Sequence, residues 1–184
     1  MNTRQGKGYT TQSINKRERP SQEPHLMLKA PKGSPICRQC HAIFDKKRWH
    51  FDEAKYTELA KTDTTEKVLC PACQKIRDEH PDGIVTLKWR VLHDHVEDIV
   101  GMMKNAEARA MSVNPLERIM KVVVSKNEME VQTTSDRFAQ RLGKDLVKAF
   151  QGEVVYHWGH RDKLVRVEWH GPSPAGTIRK RTAE

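Results

Sequence analysis

Four cysteines stand in this chain as two pairs, Cys37-x2-Cys40 in the stretch CRQCHAIFDKKRWHF and Cys70-x2-Cys73 in LCPACQKIRDEHPDG. A CxxC turn brings two sulfurs to within about 4 Å of each other, and two such turns complete a tetrahedral sulfur cage around Zn2+ at about 2.3 Å per bond. The 29 residues between Cys40 and Cys70 suit a zinc ribbon, in which each knuckle sits at the tip of a short hairpin. Iron–sulfur ligation and a redox pair are the competing uses of the same four residues. His41 follows Cys40 directly and is a substitute ligand. A tetrathiolate site has no open position for a substrate. Its role is to staple a segment too small to fold on its own burial, and metal binding supplies on the order of 10 kcal/mol for that.

Cations crowd both pairs. Lys46, Lys47 and Arg48 run straight into Trp49, His50 and Phe51, and Lys75 and Arg77 follow the second pair. Ammonium and guanidinium groups track phosphates, while aromatic faces stack on bases, so these residues are candidate nucleic-acid contacts. The blander account makes Trp49 and Phe51 the small core of the ribbon, with the charges solvated around them. A further set, Arg137, Arg141, Lys144 and Lys148, falls at i, i+4, i+7 and i+11, a stripe on one face of an expected helix. That stripe is either a solvated face or a surface turned to nucleic acid.

The nine histidines raise the question of catalysis. His93-Asp94-His95 and His157-x2-His160 resemble fragments of metal sites, but neither comes with a companion carboxylate or cysteine motif. The chain carries no His-Glu-x-x-His, no phosphate-binding loop of the Walker type and no Gly-x-Ser-x-Gly elbow. The expectation is a non-enzymatic protein with no small-molecule substrate.

The elements that must hold these residues follow from charge and periodicity. The 184 residues carry 33 Lys and Arg against 24 Asp and Glu, a net charge of +9. The excess is uneven: residues 1–34 hold seven cations against two acids, and the segment from Gly171 holds three against one. Basic ends on a weakly charged middle are the layout of arms that grip phosphates, with Arg17 and Arg19 as candidate contacts in the first arm. Residues 1–34 lack apolar periodicity and are expected to be disordered. A zinc ribbon is assigned to 35–92, an α+β domain to 93–170 and a basic tail to 171–184. Within 93–170, Asp94 is placed as the cap of a helix whose inner face is Val96, Ile99, Val100, Met103, Ala106 and Ala110, stopped at Asn114-Pro115. Two strands, ERIMKVVVS and EMEVQTT, then join through Lys126-Asn127. A second helix starts at Ser135, buries Phe138, Leu142, Leu146, Val147 and Phe150, and stops at Gly152. A last hairpin, EVVYHWG and KLVRVEWH, turns through His160-Arg161-Asp162. The expected order is α-β-β-α-β-β, a small antiparallel sheet with helices on one face. No apolar run approaches the ~18 residues of a membrane span, and the N-terminus lacks the apolar core of a secretory signal. A reducing cytoplasm, no membrane and a monomer when free are the corresponding expectations.

The blocks CRQCHAIFDKKRW, LCPACQKIRDEHPDG, NPLERI and TTSDRFAQRLGKDL together resemble a family of small bacterial zinc-ribbon proteins. That family shares its cysteine module with the large-subunit export adaptor of archaea and eukaryotes. The resemblance spans about Cys37 to Trp169, and what it carries over is the ligand set Cys37, Cys40, Cys70 and Cys73. In the adaptor the zinc-bearing region docks on the joining face of the large subunit. The resemblance therefore implies binding to the ribosome and its RNA. Without the adaptor's transport domains, export is out of reach. A stress or hibernation factor that occupies a ribosomal functional site is the leading expectation, with assembly or quality control next. A DNA-binding regulator and a zinc redox switch are the rivals from other classes.

Overall fold

Very short strands gather around the cysteines. Strands β1 (Ile36–Cys37), β2 (Ile43–Asp45) and β3 (Arg48–His50) precede helix α1 (Glu53–Ala60), and β4 (Lys67–Val68) follows it. They form one sheet in the order β3-β2-β1-β4, antiparallel except where β4 lies parallel to β1. Asp52 caps α1 by accepting from the Lys55 amide at 3.0 Å. The computed structural model describes residues 33–159 and 164–173. The basic arm up to residue 32, with Arg17 and Arg19, lies outside the described residues, as do the turn at 160–163 and the tail from 174.

The second CxxC departs from the hairpin expected for it. Cys70 caps helix α2 (Pro71–Arg77), its sulfur accepting from the Cys73 amide. Proline at the first helical position fixes the backbone there and has no N–H to satisfy.

Strand β5 (Gly83–Lys88) corrects the expected order. Sequence proximity assigns it to the cysteine segment, yet it is the middle strand of a five-stranded sheet, β6-β7-β5-β9-β8. Its neighbours are β7 (Glu128–Thr133), antiparallel, and β9 (Val165–His170), parallel. The edges are β6 (Ile119–Val124) and β8 (Glu153–Trp158). The expected division at Leu92 therefore falls after a strand that belongs with the later elements. Both expected hairpins pair as strands, β6 with β7 and β8 with β9.

Two helices cover one face of this sheet. A 3-10 turn (Leu92–His95) leads into α3 (Val96–Val113), so Asp94 sits inside that turn and caps nothing; α3 starts without a side-chain cap. Helix α4 (Asp136–Phe150) is capped by Ser135, as its sequence predicts, and ends where Gln151 and Gly152 both take positive φ. Along β5, β7 and β9 every second residue is buried: Val85 and Leu87, Met129 and Val131, Val165, Val167 and Trp169. They meet Ile99 and Met103 of α3 and Phe138, Leu142 and Leu146 of α4. Each large side chain so buried contributes roughly 1.5–3 kcal/mol. The alternate residues, among them Thr86, Glu130 and Glu168, face away from the helices, so a single layer of core suffices. At Gly143 a Cβ would stand 2.7 Å from Val167 Cγ1, which shows how closely α4 lies on β9 and β8. No helix among the described residues is long and apolar enough to cross a membrane.

Candidate metal centre

The two knuckles bring four sulfurs into one cluster. Cys37 ends β1, and the chain turns back so that the His41 amide donates to the Cys37 carbonyl at 3.0 Å and the Cys37 amide to Ala42 at 2.7 Å. His41 takes φ 64°, a left-handed turn that sends the chain into β2. Across the knuckles, Cys37 Sγ lies 3.8 Å from Cys73 Sγ, and Cys40 Sγ 3.6 Å from Cys70 Sγ. All four ligand atoms lie within 4.8 Å of one another. A tetrahedron with bonds of 2.3 Å has edges of about 3.8 Å, so the spacing fits a single four-coordinate ion. The cysteines are free thiols, and Cys37, Cys70 and Cys73 are fully buried. His41 is not in the cluster: its ring stacks on Tyr56 with centroids 4.3 Å apart.

Sulfurs this close compete for protons. Contacts from Cys40, Cys70 and Cys73 hold the Cys37 thiol far below its ordinary range, whereas those from Cys37, Cys40 and Cys73 push the Cys70 thiol far above it. Cys40 is opposed by Cys37 but drawn down by Cys70 and Cys73, to about 6. The amide of Cys70 donates to Cys37 Sγ at 3.3 Å, a partner suited to a thiolate.

The basic residues around this centre divide sharply. Lys46 and Lys47 form the two-residue turn between β2 and β3, at φ 48° and 64°, and with Arg48 they are exposed. Among the described residues none of the three makes an ion pair. Lys55 instead takes Asp45 at the foot of the turn, at 2.8 Å, and holds its carboxyl below the usual range. Arg38, between the first two sulfurs, is a further exposed cation that the sequence reading passes over.

Two of the candidate nucleic-acid residues are corrected. Trp49 is only 7% exposed and packs with Phe44 against the cysteines, so it is core; Phe51, at 43%, is the exposed aromatic of that run. Lys75 is 12% exposed and pairs with Asp82 while donating to the Thr134 carbonyl at 3.3 Å, which makes it a tie between α2 and the strands beyond. Arg77 is exposed and pairs with its neighbour Asp78.

On α4 the stripe is real and exposed along its length, but its members differ. Arg141 pairs with Glu117 and Lys148 lies 3.8 Å from Asp145, while Arg137 and Lys144 have no ion pair among the described residues. Of the histidine fragments, His95 stacks on Trp89 at 4.4 Å, while His93, 3.5 Å from Asp94, and His157 are exposed.

Sequence reasoning misses Arg118. It leaves the loop between α3 and β6, and its Nη1 donates to Cys73 Sγ at 3.6 Å, its Nε to the Pro115 carbonyl at 2.8 Å. Burial opposes its charge; the sulfurs of Cys40, Cys73 and Cys70 outweigh that and raise its pKa. Nothing in the spacing of NPLERI points at a cysteine 45 positions away. No family model, no curated protein and no solved structure matches this chain.

Proposed function

We propose that this chain is a non-enzymatic RNA-binding protein of the ribosome, in which zinc held by Cys37, Cys40, Cys70 and Cys73 fixes a basic surface against ribosomal RNA. Zinc is favoured by the all-sulfur donor set and by edges of 3.6 and 3.8 Å, which suit a closed tetrahedral site. The observation that carries the binding reading is the turn at Lys46 and Lys47. Left-handed backbone costs a residue with a Cβ about 1–2 kcal/mol, and two-residue turns of this kind ordinarily hold Asn or Gly. Here two lysines occupy it, followed by Arg48, and all three side chains are exposed. Left-handed backbone kept at two lysines, with the exposed Arg48 beside them and the sulfur cage close by, supports the reading as a contact surface. Arg137 and Lys144 on α4 supply a second contact, and the resemblance to the export adaptor's cysteine module directs the reading to the ribosome. The protein acts by occupying a functional site, as a stress or hibernation factor, and needs no catalytic group to do so.

The test is sedimentation of the full chain with ribosomes over a salt series, for the native protein and for Lys46→Glu/Lys47→Glu/Arg48→Glu. The native chain co-sediments at low salt and is released as salt rises, and the triple variant loses that affinity, with a salt slope smaller by about 2–3. A triple variant that sediments like the native chain would overturn the assignment of the surface. Native protein that stays at the top of the gradient at every salt concentration overturns the ribosomal reading. Addition to a translation extract separates the roles: saturating protein slows synthesis if a functional site is occupied, and unchanged synthesis removes the hibernation role.

A further inference from the structure

The loop Asn114–Arg118 is held more firmly than a connection between a helix and an edge strand requires. Glu107 of α3 accepts from the Ile119 amide at 2.7 Å, and Thr134 Oγ1 donates to the Leu116 carbonyl at 2.6 Å and accepts from the Arg118 amide at 2.8 Å. Asn114 accepts from the Leu116 amide at 3.1 Å, and Glu117, buried, takes Arg141 of α4. Apart from the Asn114 bond, which is internal to the loop, these bonds come from α3, α4 and the link between β7 and α4. What they position is directed elsewhere: Leu116 packs against the cysteine cluster, and the Arg118 guanidinium reaches Cys73 Sγ.

One nitrogen of that guanidinium has no partner. Arg118 Nη2 is buried without a hydrogen bond, while Nε and Nη1 are both used. A donor of a charged group left without a partner in the interior is costly. A divalent ion in four thiolates carries a net charge of −2, and a half-buried guanidinium beside the sulfurs offsets part of it. Among the described residues Arg118 makes no ion pair with a carboxylate; Asp45 is engaged by Lys55, and Asp82 by Lys75.

We infer that Arg118 is the outer-shell counter-charge of the metal centre, a positioning residue supplied by the larger sheet that sets how tightly the four cysteines hold their ion. The inference rests on the metal reading above. It couples the cysteine module to the larger sheet through one loop: the loop that Glu107, Thr134 and Arg141 hold in place delivers the charge, and metal loading in turn tightens that loop.

The experiment uses the full chain, apo and loaded with Zn2+ or Co2+, as native protein and as Arg118→Met, Arg118→Lys and Leu116→Ala. Competition against a chromophoric chelator reads affinity, and the sulfur-to-cobalt charge-transfer band reads the electronic state of the thiolates. Arg118→Met should weaken metal binding by about 10–100-fold, the usual effect of losing an outer-shell partner, and shift the cobalt band. Arg118→Lys, which keeps the charge, should recover part of both. Leu116→Ala, which only loosens the seam, should lower the melting temperature and leave the band in place. Native affinity and a native band in Arg118→Met would overturn the inference, as would a response that only matches Leu116→Ala. Should Arg118→Met fail to fold, Arg118→Lys carries the test: a weaker hold with a shifted band supports the inference, and native values of both overturn it. Native protein that binds neither ion removes the metal reading itself, a result distinct from any of these.

Discussion

The cysteine module and the five-stranded sheet solve the same problem by opposite means. The sheet and its two helices bury Trp169, Phe138, Leu142, Leu146, Ile99 and Met103, with five strands of six residues each. The module has strands of two or three residues, and three of its eight buried hydrophobic residues are the cysteines Cys37, Cys70 and Cys73, beside Ile36, Ala42, Ile43, Trp49 and Ala72. One half is held by a broad apolar core, and the other gathers a small apolar core around four sulfurs spaced to hold an ion. A small unit built in the second way spends few residues on its interior, and most of its surface is left for charge.

The strongest way to break this contrast is Cys73→Ser. Loss of one thiolate should remove metal binding, and with it on the order of 10 kcal/mol from the module. Amide exchange should then be fast across Ile36–Val68 and remain slow in β5, β7 and β9; equal exchange in both halves would show that the module does not depend on its ion. Next in size is Trp169→Ala, which should cost about 3–5 kcal/mol through the cavity it leaves and lower the melting temperature while metal stoichiometry stays the same. A smaller loss, about 1–3 kcal/mol, is expected for Gly143→Ala, because the added methyl meets Val167 Cγ1 at 2.7 Å and Val154 Cγ2 at 3.1 Å. Denaturant unfolding monitored by tryptophan fluorescence checks both. The smallest effect has the opposite sign. Lys47→Gly relieves left-handed backbone at φ 64° and should stabilise the module by about 1 kcal/mol or less, while reducing the salt slope of RNA binding by about 1. A destabilised Lys47→Gly would mean that the turn carries no strain.

What the sequence discloses follows the range of the interactions. The sulfur cluster is legible because two CxxC pairs state their chemistry locally. The helix α4 is legible because Ser135, Phe138, Leu142 and Leu146 repeat at its own period, and β6, β7, β8 and β9 because each pairs with its neighbour in the chain. Strand β5 alternates as well, with Val85 and Leu87 inward, but its partners β7 and β9 are both distant, and a parallel pairing leaves no turn signal between them. The same limit hides Arg118 and the Lys75–Asp82 tie, whose meaning depends on residues brought near only by the fold. Trp49 beside three cations suits base stacking by composition; burial against Phe44 and the cysteines decides otherwise.

The account turns on metal and RNA binding being one property. Gradient sedimentation with ribosomes at low salt, run side by side on the zinc-loaded chain and on the chain stripped by a chelator, addresses that most directly. The loaded chain should travel with the particles, the stripped chain should remain at the top, and added zinc should restore the first pattern. Stripped protein that sediments as well as loaded protein would contradict it.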